Sequence, residues 1–218
     1  MTHAAAGNRE EHNVVNGAIH RIIEYHAASR PDAPAVTEGA VTLSYRELNQ
    51  RANTLARRLA DSGLTRGALA LVRMERGANL ATVLLAVLKA GAAYAWMEPG
   101  TPDDLDLPAA FCIVKRPAGS EQRYLAVDIR GALAACDGKP TSNLPILTRG
   151  SDVACAFVDA SGEPHLFVPH ATITSLTAGD VSQPGEWGSA PGAFELWLGL
   201  MSGATITLPA AAPATAAA

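Results

Sequence analysis

Cysteine is scarce in this chain, and so is charge. The three cysteines, Cys112, Cys136 and Cys155, are an odd number at wide spacing. They offer neither a disulfide frame nor a metal site, and Cys112 and Cys155 fall inside predicted strands, where they read as small buried hydrophobes in a reducing compartment. Charged residues make up 17%, with 17 Lys plus Arg against 21 Asp plus Glu and a net charge of −4. No polybasic run stands out, which argues against nucleic acid or an anionic membrane as partner. No apolar stretch is long enough to span a bilayer. The opening MTHAAAGNREEHN has no apolar core of a signal peptide, so the expected location is the cytoplasm. His20 and His26 lie six apart, on different faces of one predicted helix, and make a poor metal pair. What is plentiful is apolar surface. At 48% hydrophobic, 218 residues can bury one substantial core.

That surface is organised around residues 43–102. Ser44 stands at an N-cap position and Glu47 lies three residues on, which is the pattern of a capping box. Leu48, Ala52, Leu55, Ala56 and Leu59 follow at helical spacing. Arg46, Gln50, Arg51, Arg57 and Arg58 hold the opposite face in water, and Gly63 stops the helix. Residues 68–72 are an apolar run too short for a helix and predict a buried strand. Residues 79–89 predict a helix apolar on most faces, ended by Gly91, and 92–97 the next strand. Local rules therefore give a βαβ-type layer over a buried sheet.

The words in this stretch carry a resemblance. LSYRELNQRAN, then LKAGAAY, then EPGTP resembles the first two core motifs of the adenylation domains of nonribosomal peptide synthetases, within the adenylate-forming superfamily. IHRIIEYHAASRPDAPAV resembles the helix and strand that precede them. In that family these segments are architectural: they build the sheet and its covering helices. The resemblance spans roughly 17–209 and corresponds to the opening part of such a domain, without the later core or the mobile C-terminal lid. It implies an α/β fold with a largely parallel sheet layered with helices. The arm at 1–16 is polar and unpatterned, and the Ala/Pro-rich tail at 210–218 reads as disordered.

Before the motifs, Ile19, Ile22 and Ile23 predict a helix ending at Arg30-Pro31, then a turn and a short strand. After them, 110–114 and 124–129 are strand candidates, 137–151 a loop, and 152–158 a buried strand. A helix is expected over 171–177, a loop over 179–192, a helix over 194–201, and a last strand in SGATITLP.

The resemblance also says where chemistry would sit. An adenylating enzyme holds ATP phosphates with a Gly-, Ser- and Thr-rich loop followed by a lysine, after the strand matching 153–158. Such a loop works through close backbone N–H groups, hydroxyl donors and an offsetting cation. Here the segment reads DASGEPHLFVPH, shorter by about three residues, with Gly162 as its one glycine. Asp159 and Glu163 bring negative charge, and His165 stands near the lysine position. At ~4 Å and an effective dielectric near 20, each repulsion costs on the order of 4 kcal/mol. The bland reading of Asp159, Ala160, Ser161 and Gly162 is a turn. A hydrolytic triad of Asp159, Ser161 and His165 or His170 is disfavoured, since no G-x-S-x-G elbow presents Ser161. The second motif is an aspartate that pairs with the substrate ammonium. Its position falls at Ala190, beside Ser189 and Gly192. Glu195 matches a family glutamate but makes no pocket alone. Asp180 and Glu186 have no assigned partner, and Trp187 and Trp197 read as packing.

The resemblance and these departures together imply a catalytically inactive adenylation-like protein. It is expected to lack ATP and magnesium binding, a substrate anchor and a metal. Its expected role is to bind a protein of a peptide natural-product assembly line, or a second copy of itself. The rivals are a split adenylating enzyme completed by a second chain, and a small-ligand binder that keeps the acyl pocket without ATP.

Overall fold

The computed structural model describes residues 17–97, 111–115, 124–128, 140–145, 148–158, 164–176 and 190–208. Helix α1 (Ile19–Ser29) opens the fold, followed by the hairpin of β1 (Pro34–Glu38) and β2 (Val41–Ser44). Next come α2 (Tyr45–Asp61), β3 (Leu69–Arg73), α3 (Ala78–Lys89) and β4 (Ala93–Met97). Ser44 caps α2 as the sequence implies. Its Oγ accepts the Glu47 N–H at 3.2 Å, and Glu47 Oε2 accepts the Ser44 N–H at 2.8 Å. Two orphan donors of the first turn are thus satisfied reciprocally. Gly63 follows the helix at φ 100°, a left-handed conformation that costs glycine little.

The apolar stripe of α2 is fully buried, while Arg46 and Arg51 face water. Arg57 differs from its expected exposure. The residue is half-buried, and its guanidinium donates to Pro140 O at 3.2 Å and Ser142 O at 2.8 Å. Asn49 and Asn53 join it there, both donating to Asn143 Oδ1 at 2.9 Å. A polar face of α2 therefore clasps the segment 140–143, which periodicity had left to solvent.

Strands β5 (Phe111–Lys115), β6 (Tyr124–Asp128), β7 (Val153–Val158) and β8 (Pro164–Pro169) complete a six-stranded sheet in the order β6-β5-β3-β4-β7-β8. The layered α/β class is as expected. Parallel pairing is confined to its centre: β3 with β4 and β4 with β7. Antiparallel pairs flank it on both sides. Short connections of the β5–β6 and β7–β8 kind permit only antiparallel neighbours; parallel ones need a crossover. The sequence missed β8, whose PHLFVP is bracketed by prolines and lacks alternation.

Helix α4 (His170–Ser175) follows β8 directly, and α5 (Ala190–Ser202) leads to β9 (Ile206–Leu208), which pairs parallel with β1. Helix α5 begins earlier than expected. Residues Ala190, Pro191 and Gly192 were read as loop, but proline is tolerated in a helix's first turn, where its missing N–H has no partner to lose. One continuous core runs from Ile19, Ile22 and Ile23 through α2 and α3 to Trp197 and Leu200. Beneath it Lys89 and Glu24, both almost fully buried, form an ion pair, and Arg21 also reaches Glu24. No helix of the described residues is long and apolar enough to cross a membrane.

Candidate functional site

In sheets of this kind ligands gather at the carboxyl ends of the parallel strands. Here that edge is set by Arg73 of β3, Met97 of β4 and Val158 of β7, all pointing the same way. Val158 pairs with Pro164 of β8, so the chain leaves and re-enters the sheet at this edge. Asp159, Ser161, Gly162 and Glu163 lie between those partners, outside the described residues. The backbone of His165 lies in the first part of β8, at the same end.

Helix α5 begins near this edge. Trp197 donates from Nε1 to Tyr94 Oη at 2.6 Å, near the start of β4. One turn earlier Phe194 meets Phe157, next to the end of β7, edge-on with centroids 5.9 Å apart. The helix thus runs from the carboxyl edge inward, and its first residue, Ala190, lies a further turn toward that edge. The start of α5 and the ends of β7 and β8 that bracket residues 159–163 therefore lie at one end of the sheet. The residue at position 190 is alanine. Ser189, Asp180, Glu186 and Trp187 fall outside the described residues.

Other charged groups collect at this edge, and sequence reasoning passed over them. Arg73 ends β3, and Glu75 and Arg76 follow it. The Arg76 guanidinium stands 5.5 Å from the centre of the Trp96 ring, whose Nε1 donates to Met74 O at 2.9 Å. The signal was legible: cations immediately after a predicted parallel strand. The N-terminus of α3 also opens here, but it is already occupied by a carboxylate. Glu38 Oε2 accepts the Ala78 N–H at 2.8 Å, so that end of the helix dipole is satisfied internally.

Cys155, Tyr94 and His170, on or beside β7, are held neutral. Burial pushes the Cys155 thiol up to about 12, so it stays protonated and inert. Burial also raises Tyr94, which lies against it in the parallel register. His170 is buried and drawn down to about 4 by that burial, with Asp152 opposing. It serves the architecture, since its Nδ1 accepts the Ile19 N–H. His20 and His26 do not converge: His20 lies against His170, and His26 Nε2 meets Met201 O at 2.7 Å. Among the described residues no three His, Cys, Asp or Glu side chains cluster as metal ligands.

Residues 23–105 match the family model described as AMP-binding enzyme. Bacitracin synthase 3 of Bacillus licheniformis is 37% identical over 178 residues, covering 77% of this chain and 3% of that protein. Surfactin synthase subunit 2 of Bacillus subtilis (strain 168) is 29% identical over 209 residues, covering 87% of this chain and 6% of that one. The chain therefore spans less than a tenth of the length of these relatives. Among solved structures, the N-terminal subdomain of Klebsiella oxytoca NpsA superposes with a TM-score of 0.70 at 21% identity, over 91% of this chain and 57% of that one. At that identity the likeness speaks for the fold alone.

Proposed function

We propose that this chain, which resembles the N-terminal part of a nonribosomal peptide synthetase adenylation domain, is a relative that no longer adenylates. In this reading it is a cytoplasmic interaction module that binds another protein of a peptide natural-product pathway. One observation carries the reading. The segment between Val158 and Pro164 and position 190 both depart in sequence from the residue types that the family resemblance implies for phosphate and ammonium. Asp159 and Glu163 stand where a polyanion would need glycine amides and a lysine, and Ala190 where a cation would need a carboxylate. Two independent losses around an intact scaffold favour retention of the fold for binding. The partner surface has support in β8, which is the outer strand of the described sheet. Its Leu166 and Phe167 are 48% and 52% exposed. Apolar side chains at an outer strand recruit partners.

Amino-acid-dependent exchange between ATP and pyrophosphate tests the reading. The purified chain is expected to give none with a full amino-acid panel, and exchange above background overturns it. A second reading is a split adenylating enzyme. In that reading a separate segment completes an active enzyme, and exchange appears only when that segment is supplied.

A further inference from the structure

The first turn of α1 has no cap of its own. Ala18 stands at the N-cap and offers no side-chain acceptor. The Ile19 N–H instead reaches His170 Nδ1, 3.3 Å away on α4. Thr174 adds a bond from Oγ1 to Gly17 O at 3.4 Å. His20 covers the same joint, its ring edge-to-face with that of His170 at 5.8 Å between centroids. Its Nδ1 is buried and has no hydrogen-bond partner.

We propose that His170 is an acid-sensitive latch: it holds the first turn of α1 on α4, and protonation of His170 frees that turn ahead of the rest of the fold. The chemistry is a matter of one atom. While Nδ1 of His170 accepts from Ile19, the proton of the neutral ring sits on Nε2. A second proton can go only to Nδ1, so the cation and the cap exclude each other. The cation would also face the positive end of the α1 dipole.

The groups facing this joint reinforce the exclusion. From α1 come His20, Arg21 and Glu24, and from α3 comes Lys89. Glu24 is paired with both Arg21 and Lys89, so its charge is already offset. Asp152, just before β7, is the one group favouring a protonated His170, and it is itself bonded by Arg66 Nη2 at 2.9 Å and the Arg149 N–H at 3.0 Å. His20 is lowered well below its ordinary value, first by burial and then by His170, Lys89 and Arg21. Both rings are therefore neutral when folded and ordinary when unfolded. The unfolded chain binds more protons below the ordinary histidine value of about 6.5. The latch is complete above that pH and is lost as pH falls toward the folded His170 value of about 4.

Amide exchange of the intact chain tests this. After intrinsic rates are divided out, the Ile19 amide is expected to open more readily than those of Leu71 and Ala95 at every pH. Its opening constant should rise about twentyfold between about pH 7 and about pH 5, the change one such histidine gives. His170→Asn places an acceptor oxygen near the Nδ1 position that does not titrate. It should keep Ile19 protected at neutral pH and remove most of the acid response. If Ile19 opens only with the central strands, or if the response is unchanged in His170→Asn, the latch is wrong. An NMR titration of the wild type decides independently of the variant: His170 titrating near 6.5 with the Ile19 amide undisturbed overturns the proposal.

Discussion

Strands β3 and β4 enter the sheet wrapped by helices, whereas β7 lies between β4 and an outer strand whose Leu166 and Phe167 stand about half exposed. The first region is held by overlapping devices. A capping box starts α2, a buried ion pair joins α1 to α3, and apolar residues fill α3 almost all round. In the second region the contact described beyond the sheet itself is long-range, Phe157 on Phe194. In the proposed reading the first region needs only to hold its packing without the residues that follow β7. A scaffold can therefore persist while the positions at its carboxyl edge lose the residue types that catalysis would demand.

The sharpest way to break this contrast is to attack the wrapped side where it is most interdependent. Lys89 is fully buried, and burial pulls its amine down to about 8 while Glu24 opposes. Glu24→Ala leaves that charge without its carboxylate and should cost about 3–5 kcal/mol in denaturant melts. Replacing both at once, with Glu24→Leu and Lys89→Met, should recover most of the loss. If Glu24→Ala is nearly neutral, the two sides of the sheet do not differ as argued.

On the other side, Gly199 of α5 faces Ile206 of β9. A Cβ at 199 would stand 2.1 Å from Ile206 Cδ1. Gly199→Ala should destabilise by about 1–3 kcal/mol through overpacking. Ile206→Val removes the offending methyl and should restore much of it. A thermal melt of the single and double variants checks this. Ser44→Ala removes a single cap acceptor and should cost about 1 kcal/mol, with partner affinity unchanged. If affinity falls while stability holds, Ser44 belongs to an interface.

These variants also mark how far the sequence could be read. Ser44, Glu47 and Gly63 announced α2 because caps and breakers act over three or four residues. The central strands announced themselves as short apolar runs. Strand β8 did not, because its pairing with β7 is set by a long-range register and its prolines mimic loop signals. Arg57 was assigned to water because periodicity describes a helix face, not the segment that folds over it. His170 was legible as a position but not as the cap of α1, 151 residues away in the chain. At the candidate site, motif spacing alone leads to Ala190 as the position where the resemblance implies an ammonium anchor. That the helix carries this position to the end of β7 required the contact of Phe194 with Phe157.

The smallest effect expected is none at all, and it bears most directly on the carboxyl edge. A ligand that binds only the folded chain raises stability by mass action, about 2.7 kcal/mol at a hundredfold excess over its dissociation constant. ATP with magnesium should give no thermal shift. In the proposed reading Asp159 and Glu163 would repel phosphate, Gly162 is the one glycine between Val158 and Pro164, and Glu38 already occupies the N-terminus of α3. Asp159→Thr with Glu163→Lys should leave exchange activity at background, because those changes mend charge and not the shortened loop or position 190. A clear shift in the wild type would mean that nucleotide is held elsewhere, with Arg73 and Arg76 the first side chains to test. Activity recovered in the double variant would mean that the remaining machinery is supplied by a co-purified partner, and the reading would move to an enzyme assembled from two pieces.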